Sequence, residues 1–242
     1  ENSYNNKILE VSNLSFSYDK KIDVLKNINL SFYENEITSI LGANGSGKST
    51  LSLILSQALK NHNGKISIKN NKRIGYVFQE ASYQILSTKV SDELAFGPRQ
   101  LKFAKENIKQ IVKRECERFN LNPNDNPINL SSEDLRKLTI GSILAIDADI
   151  IIFDEPTNTL DENEIKDLFK IILELKELNK TVILISHDTF LSWKYSERII
   201  LLREGQVVAD KSKNETFKDE KLLESCNITV PIESKIYSNI YS

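Results

Sequence analysis

An α/β fold built on a parallel sheet is predicted by three features of this 242-residue chain. Short β-branched runs at 37–41, 74–78, 150–153, 182–186 and 199–202 read as strands, several of them buried on both faces. Amphipathic helical stretches separate them, which requires crossovers of the kind parallel sheets use. A glycine-rich loop over residues 42–50 joins the first of these strands to a helix.

The N-terminal stretch departs from that rhythm. Residues 9–18 and 24–32 read as two half-buried strands with no helix between them, and 64–68 supplies a third, so a small antiparallel sheet is expected beside the main one. After the glycine-rich loop, Leu51, Ile54, Leu55 and Ala58 mark a helix. From Ile108 the apolar positions Ile111, Val112, Cys116 and Phe119 recur at helical spacing and put Cys116 on a buried stripe, as a small core hydrophobe. Cys116 and Cys226 have no metal-ligand spacing and make no disulfide framework. A single domain over 1–228 is expected, with a helical insertion at about 84–147 and a C-terminal tail at 229–242.

Charge narrows the function. Lysine and arginine number 32 against 34 aspartates and glutamates, a net charge of -2 that gives no footprint for nucleic acid, which is excluded as a partner. No apolar run reaches bilayer length and no signal peptide is visible, so a cytosolic chain is expected unless a partner holds it at a membrane. Methionine is absent, a start included, so Glu1 is expected not to be the native N-terminus.

Residues Gly42, Ala43, Asn44, Gly45, Ser46, Gly47, Lys48 and Ser49, followed by Thr50, spell G-x-x-x-x-G-K-S between a strand and a helix. Glycines let the backbone wrap closely around phosphates with its N–H groups inward, and the helix N-terminus adds a positive field. Lys48 reaches β and γ phosphates, and the Ser49 hydroxyl ligates Mg²⁺, so ATP and Mg²⁺ are the expected ligands. The strand at 150–153 ends in Asp154 and Glu155, which places two carboxylates at the carboxyl edge where α/β sheets bind ligands. Asp154 then serves the metal shell, and Glu155 orients or deprotonates the attacking water. His187 follows the strand at 182–186 and belongs at the same edge.

Taken in order from about residue 9 to 209, these motifs resemble the ATP-binding cassette (ABC) ATPases, whose P-loop fold pairs a parallel core sheet with a small antiparallel β subdomain and an inserted helical subdomain. The resemblance implies further roles. Tyr18 stacks on adenine, Gln79 is the glutamine that senses Mg²⁺ and couples to a transmembrane partner, and His187 contacts the γ-phosphate. Pro156, Thr157, Asn158, Thr159, Leu160 and Asp161 continue Asp154 and Glu155 into the family's D-E-P-T-x-x-L-D, where Asp161 crosses a dimer interface. The segment from Phe78 to Leu86, with Ala95, Phe96, Gly97 and Pro98 beyond it, resembles the energy-coupling-factor subgroup, ATPases that drive bacterial uptake of vitamins or transition-metal ions. That likeness implies an integral membrane scaffold docked after Gln79, a substrate-binding membrane subunit, and a peripheral position on the cytoplasmic face of the cell membrane.

One motif departs from the family. Where L-S-G-G-Q is expected, the chain has Leu130, Ser131, Ser132, Glu133 and Asp134. In the family this segment contacts the γ-phosphate held by the opposite subunit, and at about 6 Å and an effective dielectric near 20 each added charge pair repels by roughly 3 kcal/mol. As a helix start the residues make sense: Ser131 is the expected N-cap, Asp134 returns a bond, and Glu133 complements the dipole. A second, different ABC ATPase as partner is therefore favoured over a homodimer. Among rival readings, soluble translation factors commonly carry two cassettes, and chromosome-maintenance ATPases require a long coiled coil that this chain lacks. A module that only holds nucleotide is at odds with the intact Glu155.

Overall fold

The computed structural model describes residues 6–19, 21–158 and 160–231, which leaves residues 1–5, Lys20, Thr159 and the tail beyond Pro231 outside the described residues. In chain order the elements begin with β1 (Lys7–Phe16), β2 (Leu25–Tyr33), β3 (Ile37–Leu41), α1 (Lys48–Leu55), β4 (Asn63–Ile68) and β5 (Ile74–Val77). Three helices follow, α2 (Val90–Gln100), α3 (Lys105–Phe119) and α4 (Ser132–Ala145). The chain then returns to β6 (Ile150–Asp154), α5 (Glu162–Glu177), β7 (Thr181–Ser186), α6 (Thr189–Tyr195), β8 (Arg198–Arg203), β9 (Gln206–Ser212), α7 (Lys213–Lys218) and α8 (Glu220–Ser225).

The main sheet runs β5-β6-β7-β3-β8-β9, and every neighbouring pair is parallel except β8 with β9. Its central strands are buried because both faces are covered: β6 and β7 are nearly continuous apolar runs, and β3 carries Thr38 and Ser39 fully buried among its apolar residues. Ile151 and Phe153 point to one side, into a core shared with Leu94 of α2, Phe119 of α3, Leu138 of α4 and Phe169 of α5. Ile150 and Ile152 point to the other, against Ile54 of α1 and the apolar face of a separate antiparallel sheet, order β2-β1-β4. The predicted antiparallel sheet is thus present, and Cys116 lies on the buried stripe of α3, 8% exposed.

β9 departs from the sequence reading. Its run Gln-Val-Val-Ala-Asp-Lys-Ser is half polar and hides among surface segments, so the main sheet carries an unforeseen antiparallel edge. The turn into it places Glu204 and Gly205 at φ 50° and 78°, the successive positive values that tight hairpins need. Strand order β6-β7-β3 brings the carboxyl ends of three central strands side by side, and the glycine-rich loop, Asp154, Glu155 and His187 all leave from there. Among the described residues no helix is long and apolar enough to cross a membrane.

Candidate nucleotide site

Beyond Leu41 the chain turns at Gly42, where a Cβ would stand 2.3 Å from the Leu202 carbonyl oxygen and 2.6 Å from Ser46 Oγ, so only glycine fits. Gly47 caps α1 with φ 104°, and no side chain bonds the helix N-terminus. The first N–H groups of α1 are therefore left to an anion. Ser46 Oγ is buried inside the loop without a hydrogen-bond partner, an orphan that a phosphate oxygen would satisfy. Lys48 is 6% exposed and donates from Nζ to the carbonyls of Gly42 (2.8 Å) and Ala43 (3.2 Å). Burial lowers the pKa of its ammonium, while Glu155 and Asp154 oppose that shift.

Asp154, at the end of β6, accepts on Oδ2 from Tyr76 Oη at 2.6 Å and from Ser52 Oγ at 3.4 Å. Its other oxygen, Oδ1, is buried with no partner. Burial pushes this carboxyl up, and the hydrogen bonds from Tyr76 and Ser52 and the charge of Lys48 pull it back. The next residue, Glu155, adopts a left-handed φ of 46° and donates its backbone N–H to Ile185 of β7 at 2.8 Å. That turn carries its carboxylate to His187, whose Nδ1 lies 2.8 Å from Oε2.

A cavity of about 400 Å³ opens over these groups, lined by Val24, Asn44, Gly45, Gly47, Lys48, Ser49, Thr50, Gln79, Glu155, Asn158 and His187. Gly42, Ser46 and Asp154 are not among the lining residues, but Gly42 accepts from Lys48 and the other two are next in sequence to residues that line it. Tyr18 is 65% exposed, and its hydroxyl lies 3.2 Å from Oγ1 of Thr50, a lining residue. A larger groove of about 610 Å³ between α2 and α3 gathers none of the residues expected at the nucleotide or the metal. The donor set fits Mg²⁺, a hard cation that takes oxygen ligands, usually one or two carboxylates among them, and completes its shell with phosphate and water. Ser49 Oγ, Gln79 and the unpaired Asp154 Oδ1 are oxygen donors. Among the described residues no cluster of three or more His, Cys, Asp or Glu side chains competes for a metal.

At the altered motif, Ser131 caps α4 and accepts from the Asp134 N–H at 3.1 Å, as its sequence predicts. The returning bond expected from Asp134 is not formed: its carboxylate, one methylene shorter than the glutamate of a full capping box, turns toward Lys137 at 3.8 Å. Glu133 is paired with Lys137 one turn along the same helix. Arg136, next to that lysine, donates to the Pro156 carbonyl at 2.5 Å and so ties α4 to the segment after Glu155.

Sequence reasoning missed Tyr76, Ser52 and Arg136. No motif contains Tyr76 or Ser52; the register that pairs Tyr76 with Ile152 is what brings the phenol to Asp154, two residues on.

The family described as ABC transporter matches residues 25–158. The chain is 32% identical to the energy-coupling factor transporter ATP-binding protein EcfA2 of Methanospirillum hungatei, over 93% of its own length and 60% of that relative's. It therefore spans about three-fifths of that relative. Among solved structures, cbiO1 from Clostridium perfringens, part of the ABC transporter complex cbiONQ, superimposes with a TM-score of 0.79 at 27% identity, covering 96% of this chain and 99% of the other. The ATP-binding cassette MJ0796, solved as a dimer in a post-hydrolysis state bound to ADP and Pi, gives 0.73 at 26% identity, over 85% of this chain and 99% of that one. With more than half of its residues inside the family match, the chain belongs to the ABC transporter ATP-binding family and has energy-coupling factor ATP-binding proteins among its relatives.

Proposed function

We propose that the chain hydrolyses ATP as one subunit of an importer of the energy-coupling-factor type, and that it drives uptake of a vitamin or transition-metal ion through membrane partners. The observation that carries the chemistry is the convergence of an uncapped helix N-terminus, the buried Lys48 and the Glu155–His187 pair on one cavity, with an unpaired oxygen on Asp154, the residue before Glu155. In this reading Gly42, Asn44, Gly45, Ser46, Gly47 and Thr50 cradle the phosphates, and Lys48 offsets the charge of the β and γ groups. Tyr18 stacks on adenine. Ser49, Gln79 and Asp154 hold Mg²⁺, which withdraws charge from the phosphate oxygens when bound. Glu155 takes a proton from the attacking water as the bond from the γ-phosphorus to ADP breaks, and His187 orients Glu155 and meets the γ-phosphate.

The transport reading draws on the names of the relatives and on a second surface. Tyr83, Leu86 and Ile128 are 79%, 69% and 86% exposed beside a groove of about 420 Å³ that includes Ile85, Leu130 and Leu135. This groove suits an apolar helix of a membrane scaffold. A distinct ATPase with an intact L-S-G-G-Q completes the site over this chain's nucleotide, and a substrate-binding membrane subunit chooses the cargo at the cytoplasmic face of the membrane.

Isolation of the protein with its native partners in mild detergent, followed by mass spectrometry, tests this. A second ATPase together with a membrane scaffold and a small membrane protein is the expected set. Soluble partners alone would remove transport from the account.

A further inference from the structure

Three elements meet at the Asp154 carboxylate. Tyr76 comes from β5, Ser52 from α1 one turn after Ser49, and Asp154 from the end of β6. Their protons can be counted. Tyr76 has one hydroxyl hydrogen, and a 2.6 Å contact with a carboxylate oxygen fixes where it goes. Ser52 has one hydrogen as well, shared among the Ser49 carbonyl at 2.8 Å, Tyr76 Oη at 3.0 Å and Asp154 Oδ2 at 3.4 Å, and any hydrogen bond between the two hydroxyls has Ser52 as donor. Asp154 Oδ2 is thereby occupied, whereas Oδ1 is buried and bare. An aspartate χ2 is a broad torsion, so without such a tether the plane of the carboxylate turns freely and its free oxygen has no fixed direction.

We propose that Tyr76 is a positioning residue for the divalent cation: by holding Oδ2 it fixes the plane of the Asp154 carboxylate and aims the free Oδ1 at the metal shell. The inference rests on the reading of the cavity as an ATP–Mg²⁺ site. Tyr76 touches neither nucleotide nor metal and acts through Asp154. Its ring meets Phe78 edge-on at 4.8 Å, a contact that Tyr76→Phe retains while removing the hydroxyl.

The test is calorimetric binding of a non-hydrolysable ATP analogue to the full chain, first in EDTA and then across a Mg²⁺ series, with thermal melts of the metal-free protein as a check on folding. For Tyr76→Phe the affinity in EDTA should stay within about twofold of wild type, while the Mg²⁺ concentration at half-effect rises about tenfold or more, the usual cost of losing an outer-shell partner. Ser52→Ala, which keeps the Tyr76–Asp154 bond, should give a smaller rise and supplies the same readout if Tyr76→Phe fails to fold. An unchanged Mg²⁺ midpoint, or a loss of affinity in EDTA as large as that in Mg²⁺, would overturn the positioning role. A wild-type chain that bound no nucleotide in either condition would instead overturn the ATP site itself, and this inference with it.

Discussion

Glu155 holds a backbone conformation that non-glycine residues avoid, φ 46°, and its side chain is nearly buried against His187. A left-handed non-glycine residue costs on the order of 1–3 kcal/mol, and the surroundings here fix it: the backbone N–H is committed to Ile185 and the carboxylate to His187. Glu155→Gln preserves the shape of these contacts and removes the base. Phosphate release should fall about 100- to 10,000-fold while ATP binding persists, measured by phosphate assay and nucleotide retention on the same preparation. Equal loss of both would mean that the residue shapes the cavity and takes no proton. Lys48, Ser49, Asp154 and Glu155 were legible because each is fixed by its sequence neighbours, within a loop or at a strand end. Tyr76 and Ser52 were not, since a strand tyrosine and a helix serine acquire meaning only when register and packing place them against Asp154.

Helix starts organise the site at the scale of elements. Asp161 begins α5 with a reciprocal capping box: its Oδ1 accepts from the N–H groups of Asn163 (2.8 Å) and Glu164 (2.9 Å), and Glu164 Oε2 accepts from the Asp161 N–H (2.9 Å). The family resemblance points this aspartate toward a dimer partner, yet in the single chain it is committed to its own helix. Asp161→Ala should cost about 0.5–2 kcal/mol of stability, with Asp161→Asn restoring most of it. For a chain of this size each kcal/mol lowers the melting temperature by roughly 2–4 °C, so a thermal melt of the isolated protein resolves the difference. If alanine left the melt unchanged, the box would be incidental and the partner role would stand alone. Parallel strands were legible at this scale because burial on both faces writes them as continuous apolar runs. β9 escaped, being an edge strand whose polar residues face solvent and whose pairing depends on the two-residue turn before it.

Across the whole molecule the two ends of the proposed machine are unequal. The phosphate-binding half is complete in residue type, whereas Glu133 and Ser132 stand where the family carries glycines. The structure moderates the charge conflict, because Glu133 is paired with Lys137 on its own helix and lies 43% exposed. The full repulsion of roughly 3 kcal/mol per charge pair is thus an upper limit, and about half of it corresponds to tenfold in rate. In the proposed complex with a distinct partner ATPase, Glu155→Gln in this chain should silence its own site, so that the remaining turnover would report the nucleotide held by the partner, which on this reading faces α4 of this chain. Adding Ser132→Gly and Glu133→Gly should raise that turnover on the order of tenfold. Glycines in the first turn of α4 weaken the helix by up to about 1 kcal/mol each, which a melt will register as a lower transition. A gain in turnover against falling stability cannot come from better folding, and it would locate the defect in the charge and bulk at the start of α4. Unchanged or lower turnover would sink the asymmetry and leave two equivalent cassettes as the simpler assembly.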